Sequence, residues 1–135
     1  MKELIKGIFT KMSGSALSTS VGGRLFINPA PEGSEFPYVV VDVVTSSPED
    51  AFSLDIEDTL VQFSIYSTDM SVVEIADIYE LVKALFKDTR LTITGDTNVE
   101  FSQNNLVTMA DDLTAPSGIS FIRHWAVEYN VVVQD

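Results

Sequence analysis

ISFIRHWAVEYNVVV, residues 119–133, is the stretch with the clearest strand pattern in the chain. Its odd-numbered positions are apolar except for Arg123, whereas most even-numbered positions are small or polar. This period of two predicts a β-strand with one buried face. At about 3.3 Å per residue the strand would run about 50 Å, longer than one compact domain covers. We expect either a bulge that bends it, or an end that projects as half of a long β-hairpin with residues 99–109 and is covered by another chain.

Other parts of the chain also favour strands, because they are rich in β-branched and aromatic residues or alternate with period two. These segments are residues 24–27, 38–44, 59–67 and 90–94. In the segment 99–109, the residues Gln103-Asn104-Asn105 indicate a bend or bulge. We interpret residues 46–58 as a long acidic connection and residues 111–118 as another loop.

Two segments predict amphipathic helices. Residues 2–12 place apolar side chains on one stripe, and Ser13-Gly14-Ser15 ends that helix, followed by a small, polar loop up to Gly23. Residues 72–86 form the second helix, and Ser71 with Glu74 three residues later predicts a capping box at its start. Its apolar face covers about half the cylinder and needs two partners. One is the sheet, and the other is the first helix or a neighbouring subunit.

The composition predicts a single soluble α+β domain over residues 1–135 and limits its partners. With 8 Lys and Arg against 20 Asp and Glu, the net charge is −12, which disfavours tight binding to nucleic acid. The absence of Cys removes disulfides and thiolate sites and suits a reducing compartment. No segment is apolar enough to predict a membrane span or a signal peptide, so we expect the protein to remain in the cytoplasm.

No residue pattern supports catalysis, a metal or a cofactor. His124 is the only histidine and has no nucleophile or ligand motif beside it. Asp96, Asn98 and Glu100 begin like a calcium loop, but Phe101 stands where the sharp turn needs Gly. Gly22-Gly23-Arg24 lacks the Lys of a phosphate-binding loop. Arg123 lies on an otherwise apolar strand face, so we expect a carboxylate partner for it across strands or across subunits.

The order of these segments resembles the tail terminator, or tail completion, proteins of long-tailed bacteriophages and prophages. The resemblance is carried by VGGRLF at residues 21–26, FPYVVV at 36–41, VQFSIYS at 61–67 leading into the helix, and the closing YNVVV at 129–133. It implies a mixed, mainly antiparallel sheet with two helices on one face. It also implies a six-fold ring that caps the tail tube, halts its polymerisation and docks to the head connector.

The implied partners are other copies of this chain, the tail tube protein and the connector protein, with DNA passing through without specific binding. The implied location is the head-proximal end of the virion tail, after assembly in the host cytoplasm. Candidate subunit-interface or docking residues are Tyr79, Phe86, Arg123, Trp125, Phe52, Asp55, Asp111 and Asp112. A homodimeric α+β module that binds a small molecule is the alternative. A hydrolase with paired carboxylates ranks last.

Overall fold

Five strands form one mixed sheet in the part of the chain that the computed structural model describes, which is residues 2–51, 54–69, 71–87, 98–112 and 121–134. They are β1 (Leu25–Ile27), β2 (Tyr38–Ala51), β3 (Leu54–Ser67), β4 (Asn98–Asp112) and β5 (Phe121–Gln134), in the spatial order β1-β2-β3-β5-β4. Only β1 and β2 are parallel among these pairs; the other neighbours are antiparallel. The predicted α+β class with a mainly antiparallel sheet is confirmed. The strand predicted at residues 90–94 lies outside the described residues.

The helices α1 (Lys2–Met12), α2 (Ala16–Ser20) and α3 (Val73–Phe86) pack against one face of the sheet. The buried stripe of α1 is Leu4, Ile8 and Met12, and it joins the same core cluster as Ile78 and Val82 of α3. The amino group of Lys11 lies 5.9 Å from the centre of the Phe86 ring. The first helix is therefore a partner of the wide face of α3 within the same chain.

Alternate sheet residues complete this core, as a period of two requires. The fully buried sheet residues of the cluster are Val39, Val61, Phe63, Ile65, Val127, Tyr129 and Val131. The opposite, outer face of the sheet presents the intervening residues. No described helix or strand covers that outer face, because α1, α2 and α3 lie on the other side.

The loop expected between the first helix and Gly23 contains the short helix α2. The hydroxyl of Ser15 accepts a hydrogen bond from the backbone N–H of Ser18 at 3.4 Å and so caps its start. Leu17 and Val21 are buried in the core, which anchors a segment whose composition is otherwise small and polar. Gly22 and Gly23 then adopt φ of +62° and +76°, a left-handed conformation that glycine tolerates, and turn the chain into β1.

The helix predicted at residues 72–86 is confirmed, but the predicted capping box at its start is wrong. The Ser71 hydroxyl accepts from the N–H of Val73 at 3.2 Å, while the N–H of Ser71 donates to Asp69. Glu74 instead accepts a hydrogen bond from the Ser67 hydroxyl at 2.7 Å. The start of α3 is therefore tied to the end of β3 rather than to its own first turn.

The acidic connection predicted at residues 46–58 is also wrong, because β2 and β3 continue through it. Their antiparallel register runs from Tyr38↔Tyr66 to Ala51↔Leu54, with a bulge between Val43 and Thr45. Backbone pairing between the two strands outweighs the poor strand propensity of the Asp, Glu and Pro residues.

The long hairpin predicted for the end of the chain is confirmed as β4 and β5. The bulge falls in β4, between Gln103 and Asn105, where the sequence predicted it. Asp111 and Asp112 belong to β4 and not to the loop expected at 111–118, since they pair with Ile122 and Phe121. Residues 113–120, which include the start of the predicted last strand, lie outside the described residues.

Candidate interaction surfaces

The two hairpins project from opposite ends of the sheet. The strands β2 and β3 remain paired beyond Ile56, which faces Gln134 near the end of β5. At the other end, β4 and β5 remain paired beyond Arg123, which faces the last residue of β3, Ser67. A protein with this shape presents a separate pair of strands at each end.

These two ends carry the acidic candidate residues. Asp55 lies on β3 opposite Asp50, next to the end of the first hairpin, and Asp111 and Asp112 end β4 in the second hairpin. Phe52 lies outside the described residues. The structure therefore separates these candidates into two groups at opposite ends of the sheet, and their docking role stays a prediction.

Tyr79 and Trp125 are brought together by the packing of α3 against β5. Their ring centres lie 6.0 Å apart in an edge-to-face arrangement. The Tyr79 hydroxyl accepts a hydrogen bond from the side-chain amide of Gln103 at 2.9 Å, and the Lys83 amino group lies 6.0 Å from the Tyr79 ring centre. Both aromatic residues are half-buried, so their rings contribute to the margin of the core and to the surface. We call Tyr79, Trp125 and Gln103 the α3–β5 patch.

Arg123 extends the same strand face two residues beyond Trp125 and is half-buried. The register places it beside Ser67 on one side and Ala110 on the other. Ser67 is fully buried and donates to the carboxylate of Glu74. The neighbouring position of β3 is thus already bonded to a carboxylate, and a carboxylate partner for Arg123 itself stays a prediction.

Phe86 is a core residue, which corrects its selection as a surface candidate. Its side chain is 0% exposed. Its ring centre lies 4.8 Å from that of Phe63, 5.1 Å from that of Phe101 and 6.2 Å from that of Tyr129. Because three aromatic rings of the sheet surround Phe86, its apolar side chain is used inside the subunit.

An aromatic row crosses the outer face of the sheet, and the sequence alone did not reveal it. The row consists of Phe26, Tyr38, Tyr66 and His124, from β1, β2, β3 and β5 in turn. Successive ring centres are 5.9, 4.9 and 4.3 Å apart, and His124 lies nearly parallel to Tyr66 at 13°. Burial raises the pKa of the Tyr66 phenol, and burial followed by the charge of Tyr66 raises the pKa of Tyr38. Both hydroxyls therefore stay neutral in a contact surface at neutral pH.

Catalytic and metal chemistry find no support in the described ranges. No group of three or more His, Asp or Glu side chains within them is placed to hold a metal ion. No helix among the described residues is both long and apolar enough to cross a membrane. The distinctive features are instead two projecting hairpins, a half-buried patch and a sheet face on which no described helix packs, which are typical of a protein that works by contacting other proteins.

A protein that works by contacting other proteins is also what the similarity to known proteins indicates. The family model described as tail completion protein gp17 matches residues 7–134, and the chain belongs to this family. It is therefore a structural protein of the phage tail and not an enzyme. Among solved structures, it is similar to a chain of the structure described as the virion of a native gene transfer agent particle. The TM-score is 0.74 at 11% sequence identity, over 99% of this chain and 96% of that chain, which shows the shared fold. No curated protein matches the chain in sequence.

Proposed function

We propose that this protein forms a homohexameric ring that caps the tail tube, ends tube polymerisation and joins the tail to the head connector. The observation that carries the proposal is the family match, which extends over residues 7–134 and therefore over every described strand. The similar fold within a virion particle supports a role in the assembled particle. The proposed location is the head-proximal end of the tail, after assembly in the host cytoplasm.

A closed ring needs two different surfaces that meet between neighbouring copies. The α3–β5 patch with Arg123 supplies one candidate surface, because Tyr79 and Trp125 are only half-buried within one subunit. The outer face of the sheet, with its aromatic row, supplies a second and different one. The two surfaces consist of different residues, as a head-to-tail contact between neighbouring copies requires. A two-fold contact would instead use the same surface on both copies.

A joining ring also needs one surface toward the tube and another toward the connector. The two hairpins leave the sheet at opposite ends, so each can serve one rim. We propose the acidic hairpin of β2 and β3, which includes Asp55, and the hairpin containing Asp111 and Asp112 as these docking surfaces. The net charge of −12 lets DNA pass through such a ring without tight binding.

The test is the mass of the purified protein, measured by light scattering at several concentrations and followed by negative-stain imaging. We expect a species of six 14.8 kDa chains, seen as a ring with a central hole, either alone or after addition of tail tubes. A stable dimer would overturn the ring and favour the alternative of a small-molecule-binding module. A monomer that stays monomeric when tail tubes are added would also overturn it.

A further inference from the structure

A groove of about 800 Å³ opens at the corner of the sheet, where the Pro-rich segment 29–37 leads into β2. Two carboxylates line it, from Glu32 and Glu35, together with the aromatic side chains of Phe36 and Tyr38. Ser34 and Thr68 add hydroxyl groups at its walls. None of the described residues that line this groove is Lys or Arg. Its chemistry is thus anionic and aromatic at once.

The walls of the groove are held in place before any partner arrives. Arg24 donates from Nε to the carbonyl of Pro37 at 2.9 Å and from Nη2 to that of Phe36 at 3.4 Å. The N–H of Ser34 donates to the carbonyl of Pro31 at 3.2 Å and closes the turn. Tyr38 packs on Phe36 at 5.1 Å and stacks on Tyr66 at 4.9 Å between ring centres. A preformed site loses less entropy on binding than one that must be ordered.

The two carboxylates remain accessible to a visiting cation. The nearest charged contact of Glu35 is Nη1 of Arg24 at 3.9 Å, and 87% of the Glu35 side chain is exposed. An exposed pair at that distance contributes little, and the other Arg24 donors already serve backbone carbonyls. Glu32 is exposed as well. Two exposed carboxylates therefore lie beside an aromatic wall, and Arg24 behind that wall offsets only part of their charge.

We propose that this groove binds an arginine side chain on a segment of a partner protein. A guanidinium group stacks on aromatic faces and donates parallel hydrogen bonds to a carboxylate, whereas an ammonium group forms a point contact. The ring of Phe36 would take the face of the guanidinium, since Tyr38 is already stacked on Tyr66 and packed on Phe36, and Glu32 or Glu35 would take its edge. The proposal rests on the proposed function only in taking the partner to be another protein of the particle.

The test is a titration of isotope-labelled protein, followed by amide NMR shifts, with the peptide acetyl-Gly-Arg-Gly-Arg-Gly-amide at low salt. We expect saturable shifts at Phe36, Tyr38 and Thr68 with a millimolar dissociation constant. The matched peptide with citrulline in place of arginine keeps the planar shape, but it lacks the charge and has an acceptor oxygen in place of one donor nitrogen. It should bind at least about tenfold more weakly.

Two double variants distinguish binding in the groove from attraction of the peptide to the overall negative charge of the protein. Glu32→Gln with Glu35→Gln should weaken binding of the arginine peptide about tenfold. Asp77→Asn with Glu80→Gln makes the same change in net charge on the exposed side of α3 and should leave binding unchanged. All four side chains avoid the core, so both variants should keep the wild-type spectrum elsewhere. The wild type should bind the arginine peptide more tightly than the peptide with lysine in place of arginine, and Phe36→Leu should remove that preference.

Equal binding of the arginine and citrulline peptides would overturn the proposal, as would equal loss in the two double variants. Shifts at Glu32 and Ser34, which line the groove but lie outside the aromatic row, that depend on protein concentration without peptide would show that a second copy of the chain occupies the groove, which also overturns the proposal. Because the titration needs no ring, a protein that binds arginine but forms no hexamer would refute only the proposed function. A hexamer without arginine binding would refute only the groove.

Discussion

At the scale of single residues, Tyr129 has a buried hydroxyl group whose effect can be measured. The side chain is 0% exposed, and its hydroxyl has no hydrogen-bond partner among the described residues. Burial, followed by the charge of Tyr79, raises the pKa of Tyr129 from 10.0 to about 12. The folded chain therefore holds this proton to a higher pH than the unfolded chain does. The resulting stability is fully present below about pH 10 and is lost between pH 10 and 12.

We predict that Tyr129→Phe is at least as stable as the wild type at pH 7, because it removes a buried polar group that has no described partner. Its free energy of unfolding should also fall less steeply between pH 10 and 12, as measured by urea unfolding across that range. Tyr79→Phe is the control, since it removes the hydroxyl that Gln103 donates to and should cost about 0.5–1 kcal/mol at pH 7. Parallel pH profiles for Tyr129→Phe and wild type would show that Tyr129 does not titrate on unfolding.

The sequence predicted contacts between side chains only where the pattern of a single helix or strand determines them. The single-face pattern of α3 predicted that Ile75 and Val82 are buried, and they are. It could not show that Phe63, Phe101 and Tyr129 surround Phe86. The aromatic row depends on the register of three strand pairs, which sets Tyr38 beside Tyr66 and Tyr66 beside His124. Register follows from turn geometry and packing partners, so it cannot be counted off along the chain.

At the scale of elements, the cap of α2 decides whether the segment between α1 and β1 is a helix. A helix of five residues has little stability of its own, so its first turn depends on the Ser15 hydroxyl that accepts from Ser18. We predict that Ser15→Ala lowers the free energy of unfolding by about 1 kcal/mol, measured by chemical denaturation, while Ser15→Thr, whose hydroxyl can also accept from Ser18 and donate to the Met12 carbonyl, largely retains it. Ser20→Ala, at an exposed position in the last turn, should change it by less than about 0.5 kcal/mol. Equal effects at Ser15 and Ser20 would argue against the cap.

Element types were more predictable than element lengths. Alternation predicted the strand over residues 59–67, and the polar run Gln103-Asn104-Asn105 predicted the bulge, because both are local patterns. The extension of β2 to Ala51 was missed, since Ser, Pro, Glu and Asp disfavour strands when considered one at a time. The chain is held there by its pairing with β3, from Thr45↔Leu60 to Ala51↔Leu54. Similarly, α2 was missed because its one buried residue, Leu17, cannot form a period.

At the scale of the whole molecule, all the described helices lie on one side of the sheet. The β2–β3 hairpin projects from one end of the sheet and the β4–β5 hairpin from the other. The helix side buries one core cluster, which satisfies the needs of a single domain. The outer face, the groove and the two hairpins are then left for contacts between molecules. The two hairpins lie apart from each other and can be altered separately, whereas the groove and the outer face share Tyr38.

The acidic hairpin of β2 and β3 can be shortened to test whether it docks to another tail component. Replacing residues 49–56 by Asn-Gly joins Pro48 to Glu57 through a two-residue turn, since these residues already face each other. Glu57 retains its pairing with Val133, so the sheet below the turn is kept. We predict that the shortened protein forms the same oligomer by light scattering. Particles assembled with it should show a loss of joined heads and tails by electron microscopy.

A charge-only variant separates the length of this hairpin from its acidity. Glu49→Gln, Asp50→Asn and Asp55→Asn keep every residue of the strands and raise the net charge from −12 to −9. If carboxylates make the contact, this variant should lose joining as the shortened one does, and joining in the wild type should weaken with rising salt. If backbone pairing or shape makes it, the charge variant should join normally. Loss of the oligomer in the shortened protein would instead place this hairpin in the contact between subunits, contrary to its proposed role.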